Sequence, residues 1–263
     1  MPTPHQDLPV DVIAPLRSLR PPGGLSDETV AVEVPIALTV NEVSQAVMLA
    51  TPADLEDFAL GFALNEGWIA SPRDLLDVEV VTRPEGIELA LRVTAAREQQ
   101  LKARRRLLAG RTGCGLCGLE SLAQVGAVQP PAVTAPDLLP GALDRALPLL
   151  HAAQVLNARC GGLHAAAWCL ADGSLRFARE DIGRHNALDK LCGALARQNV
   201  DPRTGFVLMS SRASFELVHK TAMAGVGLLA CMSAPSSLAI DTAQRLGLQL
   251  WAFVREGRAT RYA

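Results

Sequence analysis

Residues 206–254 read FVLMSSRASFELVHKTAMAGVGLLACMSAPSSLAIDTAQRLGLQLWAFV. Short apolar runs (Phe206–Met209, Gly227–Met232, Gln249–Val254) alternate here with segments whose apolar residues recur at helical spacing (Ser214–Ala224, Leu238–Leu246). A brief apolar run suits a buried strand, whereas a recurrence every three or four residues lays one stripe along a helix. The exchange of the two predicts a layered α/β domain. Working outward, helices at Leu143–Leu156 and Asn186–Arg197 and strands at Ala165–Leu170 and Ser174–Arg179 extend that domain over 137–263.

Further upstream the pattern changes. Thr29–Val40 and Glu42–Leu49 read as strands about a turn at Asn41, and Asp77–Thr82 and Gly86–Thr94 as a second hairpin across Arg83–Gly86. Between them, Thr51-Pro52-Ala53-Asp54 offers a capping Thr and a Pro suited to the first helical position. Leu55, Phe58, Ala59, Phe62 and Ala63 follow at helical spacing, and the helix should stop near Gly67. These elements predict a small β-rich α+β domain over 28–105. Residues 1–27, rich in Pro, read as a loose leader, and the glycine- and proline-punctuated stretch 106–136 reads as a connector. The fold class expected is therefore α+β / α/β in two domains.

Composition narrows the function. With 49% hydrophobic residues in 263, the chain can bury one large core or two modest ones. Its 25 basic against 27 acidic residues give no support for a general nucleic-acid binder. Met1 is followed by no basic segment and apolar run, and no apolar stretch reaches membrane-spanning length, so no membrane role and a cytoplasmic location are expected. Thiols there are kept reduced, which leaves the six cysteines as reactive, metal-bound or buried groups.

Two of them share a loop, Arg111-Thr112-Gly113-Cys114-Gly115-Leu116-Cys117-Gly118. A Cys-x-x-Cys pair serves as half of a zinc site, as a redox dithiol or as a sulfur carrier. Cys160, Cys169, Cys192 and Cys231 form no second close pair to complete a zinc site. Glycines on both sides of the thiols disfavour the helix start of a thioredoxin-like motif while leaving the sulfurs accessible. Lys102, Arg104, Arg105, Arg106 and Arg111 precede them and favour thiolate over thiol, although such runs are often only solvated helix faces. Sulfur carriage fits best, with Cys114 and Cys117 as the candidate groups. Cys169, Cys192 and Cys231 lie in apolar patterns and read as inert.

Other polar constellations sit at turns of the second domain. Gly161-Gly162-Leu163-His164 precedes a strand, and His164 is either a proton-handling group or a satisfied core histidine. Glu180-Asp181-Ile182-Gly183-Arg184-His185-Asn186 stands before a helix, where exposed backbone N–H groups suit an anion; Asp181 or Asn186 is alternatively a cap. Ser210-Ser211-Arg212-Ala213-Ser214 combines hydroxyls, N–H groups and a guanidinium fit for a phosphate. Phe253-Val254-Arg255-Glu256-Gly257-Arg258 sets two arginines about a glycine, suited to a diphosphate or to a solvated chain end.

Taken in order, Glu33-Val34-Pro35, Val47–Pro52, Asp54–Phe62, Arg111–Gly118, Gly161–Ala167, Glu180–Leu191, Arg212-Ala213-Ser214 and Ser233-Ala234-Pro235 resemble the FdhD/NarQ family. The match runs from about Glu33 to Tyr262. The family's members are sulfurtransferases that serve the molybdenum cofactor of formate dehydrogenase. The resemblance implies that a cysteine desulfurase loads Cys114 as a persulfide, with Cys117 as companion thiol. It implies delivery of that sulfur to the molybdenum bis(molybdopterin guanine dinucleotide) cofactor. Phe253, Val254, Arg255, Glu256, Gly257 and Arg258 match the segment assigned to cofactor binding, and His164, Asp181, His185, Asn186, Arg212 and Ser214 are expected to line the same pocket. A homodimer and no structural metal are also implied, and a non-catalytic cofactor-binding chaperone is the alternative function.

The resemblance further implies a cytidine deaminase-like second domain. Deaminase chemistry is not expected, because His164-Ala165-Ala166 places Ala166 where a zinc deaminase needs its proton-shuttling Glu. The chain departs from the family at Cys160, commonly Thr, at Ser211, commonly Gly, and at Glu42, commonly Gly. None of these touches the thiol loop.

Overall fold

The computed structural model describes residues 11–19, 25–108 and 129–263. Strands β1 (Ile13–Leu19) and β2 (Leu25–Ala31) pair antiparallel, Ile13 opposite Ala31. Next come β3 (Val34–Val40), β4 (Val43–Ala50), helix α1 (Leu55–Asn65), β5 (Leu75–Arg83), β6 (Gly86–Val93) and α2 (Ala95–Leu108). The four strands β3 to β6 form one sheet in the order β4-β3-β6-β5, with β3 and β6 parallel at its centre. Alternation decides which face is inward: Ile36, Leu38, Ile87, Leu89, Leu91 and Val93 all point to a core completed by Phe58, Ala59 and Phe62 of α1. Asn41 and Glu42, at φ of 44° and 68°, make the two-residue turn that a hairpin's twist favours.

Several expectations are corrected here. The leader expected over 1–27 contains β1, whose Pro15 hides the period-two signal. The single strand read over Thr29–Val40 is two strands in different sheets, broken at Val32-Glu33. Thr51 does not cap α1: Asp54, at φ 52°, is the cap residue and makes no side-chain cap bond. Helix α2 carries the basic run into what reads as connector from residue 106.

The second half comprises α3 (Ala142–Ala153), α4 (Asn157–Cys160), β7 (His164–Leu170), β8 (Leu175–Asp181), α5 (Arg184–Arg197), β9 (Gly205–Met209), α6 (Phe215–Met223), β10 (Leu228–Cys231), α7 (Ser237–Leu246), β11 (Gln249–Arg255) and β12 (Arg258–Arg261). Six strands form one sheet in the order β12-β11-β10-β9-β7-β8. Only β9, β10 and β11 run parallel. Both faces are covered, which is why β9 and β10 are buried throughout. Ala166, Trp168, Val207 and Met209 pack with α5, α6 and α7, while Ala165, Ala167, Phe206 and Leu208 pack with Leu143, Ala146 and Leu150 of α3. The molecule is a mixed α+β protein.

Helix α1 crosses α5 at close range. A Cβ on Gly61 would lie 1.8 Å from the Asp189 carbonyl oxygen, and one on Gly193 would lie 1.9 Å from that of Asp57. Polar groups flank this crossing. Asp57, buried in α1, accepts from Arg179 at 2.6 and 2.9 Å and pairs with Arg197. Asp189 accepts from Lys220 at 2.7 and 2.9 Å and from Asn65 at 2.7 Å. No described helix is long and apolar enough to cross a membrane.

A cationic candidate site at the carboxyl ends of the parallel strands

Parallel strands of an open sheet direct their following turns to one end, where ligands usually bind. Here the turns after β9, β10 and β11 meet at that end. Ala213 bridges to Pro235, Ser236 N donates to Ala213 O at 3.0 Å, and Phe253 N donates to Ser233 O at 3.2 Å. Strand β7 runs antiparallel to β9, so its first residue, His164, lies at the same end opposite Asp181, the last residue of β8. The sequence motifs 161–164, 180–186, 210–214 and 253–255 are thus gathered from four strands, β7, β8, β9 and β11.

Positive charge collects there. His164 is half-buried, and its pKa is lowered by burial first and then by Arg184, His185 and Arg212, with Asp181 opposing. The Nε of Arg184 is buried without a hydrogen-bond partner among the described residues. His185 Nε2 lies 2.8 Å from Glu216 Oε2 and 3.3 Å from Ser214 Oγ, and this contact holds the Glu216 carboxyl below its ordinary pKa. Both contacts fall on one ring nitrogen, so the three side chains are not a serine–histidine–acid relay, which needs the acid on the other nitrogen. Ser214 and Ser236 accept from the backbone of Leu217 and Ala239 as caps of α6 and α7, so two helix N-termini open at this end. Two histidines, two arginines and two helix starts suit a phosphate or diphosphate.

Not every expected residue faces outward. Asp181 and Asn186 are buried, at 0% and 3% exposure, and their polar atoms are engaged inside the protein. Asp181 accepts from Thr51 N, Gly183 N and Asn186, and Asn186 also donates to Leu49 O. Of the carboxyl-terminal segment, Val254 belongs to the core and Arg255 is bonded to Val254 O and Met232 O. Glu256 and Gly257 turn between β11 and β12, Gly257 N donates to Asp144, and Arg258 opens β12, a strand the sequence reading omits. Phe253 stands out: at φ 51° it holds a left-handed backbone, with its ring 38% exposed beside the β11 bulge.

Cys114 and Cys117 lie outside the described residues. Gln129 and Pro130, the first described residues after them, line a cavity of about 140 Å³ with Phe215 and His219 of α6 and Leu238, Arg245 and Leu246 of α7. Burial pushes the Cys169 and Cys192 thiols up to about 12 and that of Cys231 up as well, so these three stay protonated. Cys160 is partly buried and donates to Leu156 O at 3.4 Å. Among the described residues, no three His, Cys, Asp or Glu side chains converge as metal ligands would. Sequence reasoning missed Glu216 as a partner of His185, and Arg184 as a member of the cluster although it stands inside the quoted 180–186 motif.

The model of the FdhD/NarQ family matches residues 31–263. The sulfur carrier protein FdhD of Variovorax paradoxus (strain S110) is 56% identical over 226 residues, covering 86% of this chain and 81% of that one. Proteins of the same name from Cupriavidus necator and Bordetella petrii are 50% and 48% identical, covering 91% and 93% of this chain and 83% and 90% of theirs. A crystal structure from Desulfotalea psychrophila, of a protein provisionally described as a formate dehydrogenase accessory protein, superposes with a TM-score of 0.72 over 97% of each chain at 22% identity. That likeness is one of fold.

Proposed function

The chain belongs to the FdhD/NarQ family, and from that premise we propose that it is a sulfurtransferase. In this reading it takes sulfur from a cysteine desulfurase as a persulfide on Cys114 and passes it to the molybdenum bis(molybdopterin guanine dinucleotide) cofactor of a formate dehydrogenase. It works in the cytoplasm, as a homodimer. The observation that carries the reading is the family match, which spans the cysteine loop and the cationic end together. The relatives named sulfur carrier protein FdhD support the sulfur-transfer half.

The chemistry of loading is a thiol exchange. The Cys114 thiolate attacks the outer sulfur of the donor's persulfide, the donor S–S bond breaks, and the donor cysteine leaves as thiolate while a new S–S bond forms on Cys114. No net oxidation occurs. Arginines of the run Arg104–Arg111 would favour the attacking thiolate and an acidic donor surface. The acceptor is a dinucleotide with phosphates, and His164, Arg184, His185 and Arg212 offer it countercharge beside the α6 and α7 starts. The twelve residues that follow Cys117, Gly118 to Gln129, reach at most about 40 Å when extended. Gln129 lines a cavity with Phe215 and His219 of α6 and Leu238, Arg245 and Leu246 of α7, and a span of that length is long enough for Cys114 to serve an acceptor held at this end. The second domain serves as a deaminase-like scaffold without deaminase chemistry, Ala166 being fully buried.

Intact-protein mass measurement after incubation with cysteine and a desulfurase tests this. Wild type and Cys117→Ala are expected to gain sulfur at Cys114, and Cys114→Ala to gain none. An undiminished sulfur load on Cys114→Ala would sink the assignment.

A further inference from the structure

A fully buried ion pair lies beneath the cationic end. Asp181 and Lys190 meet at 2.7 Å with no exposed side-chain surface on either. Both members of the pair also bond to one residue of the amino-terminal sheet-and-helix unit, Thr51. Asp181 Oδ2 accepts from Thr51 N at 3.0 Å, and Lys190 Nζ donates to Thr51 O at 2.9 Å. The Thr51 hydroxyl accepts from Ile182 N at 3.1 Å. Asn186 closes the far side of the turn, donating to Asp181 Oδ1 at 3.1 Å and to Leu49 O at 2.9 Å. Arg184 and His185 lie between the two residues so held, Ile182 and Asn186.

Stability alone is a weak reason for such a pair, since apolar side chains of similar volume often replace one at no cost. Direction is what apolar contacts do not supply. Hydrogen bonds from the charged pair to Thr51 N and O, together with that from Ile182 N to the Thr51 hydroxyl, fix both the register and the angle of the turn that follows β8. We infer that Thr51, Asp181 and Lys190 are positioning residues, which hold the 182–186 turn so that Arg184 and His185 face an anionic nucleotide. The amino-terminal unit thereby completes a site whose ligand contacts come from the other unit. This rests on the reading that the cationic end binds the guanine dinucleotide of the acceptor.

The test uses the full chain, with guanosine diphosphate as probe in titration calorimetry well below the thermal transition. Thr51→Val removes the hydroxyl and leaves the backbone bonds to Asp181 and Lys190 in place, whereas Asp181→Asn risks the fold. Thr51→Val is expected to bind the probe about five-fold or more weakly, and Thr51→Ser, which restores the hydroxyl, to bind within about two-fold of wild type. Sulfur loading of Cys114 should be equal in all three. Wild-type affinity in Thr51→Val, or an equal loss in Thr51→Ser, overturns the inference while leaving the proposed function standing. A wild type that loads sulfur but binds no probe overturns the acceptor-site reading and the inference with it.

Discussion

Burial, and after it the neighbours Arg184, His185 and Arg212, make His164 harder to protonate, and a bound diphosphate would offset the charge of those neighbours. The lowered pKa has burial as its first cause and Arg184, His185 and Arg212 as the next. An anion placed among those groups raises it again, so binding takes up protons, and affinity should increase as pH falls through the region of the ordinary value, 6.5. Calorimetric titration with guanosine diphosphate in two buffers of different ionisation enthalpy is expected to show this uptake, and His164→Asn should abolish it. For the protein without ligand the sign reverses. The unfolded chain binds the proton more readily, so the stability due to His164 is present above 6.5 and declines as pH falls below it. Phe253 offers a second residue-scale prediction. A left-handed backbone costs a bulky residue roughly 1–2 kcal/mol, and a partly exposed ring recovers little of that by burial. Phe253→Gly should therefore change stability by less than about 1 kcal/mol, as chemical denaturation would measure, while weakening probe binding if the ring contacts the ligand.

Among elements, the α1–α5 crossing is the joint on which the architecture turns. Since a methyl at Gly61 or Gly193 would fall within 2 Å of a backbone carbonyl oxygen of the facing helix, Gly61→Ala or Gly193→Ala must push the helices apart. Each should cost about 2–3 kcal/mol and lower Tm by roughly 4–10 °C. Gly162→Ala, where the nearest atom is 4.0 Å away, is the control expected to leave Tm unchanged. This joint was not legible in the sequence, because a glycine inside a helical pattern gives no sign of the helix it will meet more than a hundred residues later. The strands and helices themselves were legible. From β9 to β11 the apolar runs and helical stripes fall where the structure has them to within one or two residues, since each is decided by local period. Thr51 shows the limit: its neighbours Pro52 and Asp54 make it read as a cap, but its hydroxyl belongs to Ile182, 131 residues away. For the candidate site, the turns at 161–164, 180–186 and 210–214 were readable as polar clusters. Their convergence depends on the direction of β7 against β9, which no local pattern states.

At the scale of the molecule, the polar groups at the joint bind the two sheets into one unit. Among the described residues Asp57 is completed by Arg179 and Arg197, and Asp189, on α5, by Lys220 and by Asn65 of α1. Separating the halves would expose the apolar crossing and leave these carboxylates with fewer partners. Heating should therefore give a single calorimetric transition whose measured enthalpy equals the van't Hoff value, although chains of this length often unfold in stages. The Lys220→Met variant probes the same coupling. Burial already raises the pKa of Asp189, against the pull of Lys220 and Asn65. Without Lys220 the carboxylate is buried with no countercharge, a change that costs about 3–5 kcal/mol. The folded variant then binds a proton at Asp189 that the unfolded chain, with its ordinary value of 3.8, gives up, so lowering the pH stabilises the fold. Denaturant titrations should find the deficit of Lys220→Met largest near neutral pH and shrinking as the pH falls, whereas a deficit independent of pH would mean that Lys220 supports the joint by packing on Phe62, 4.9 Å from its ring centre, and not by charge.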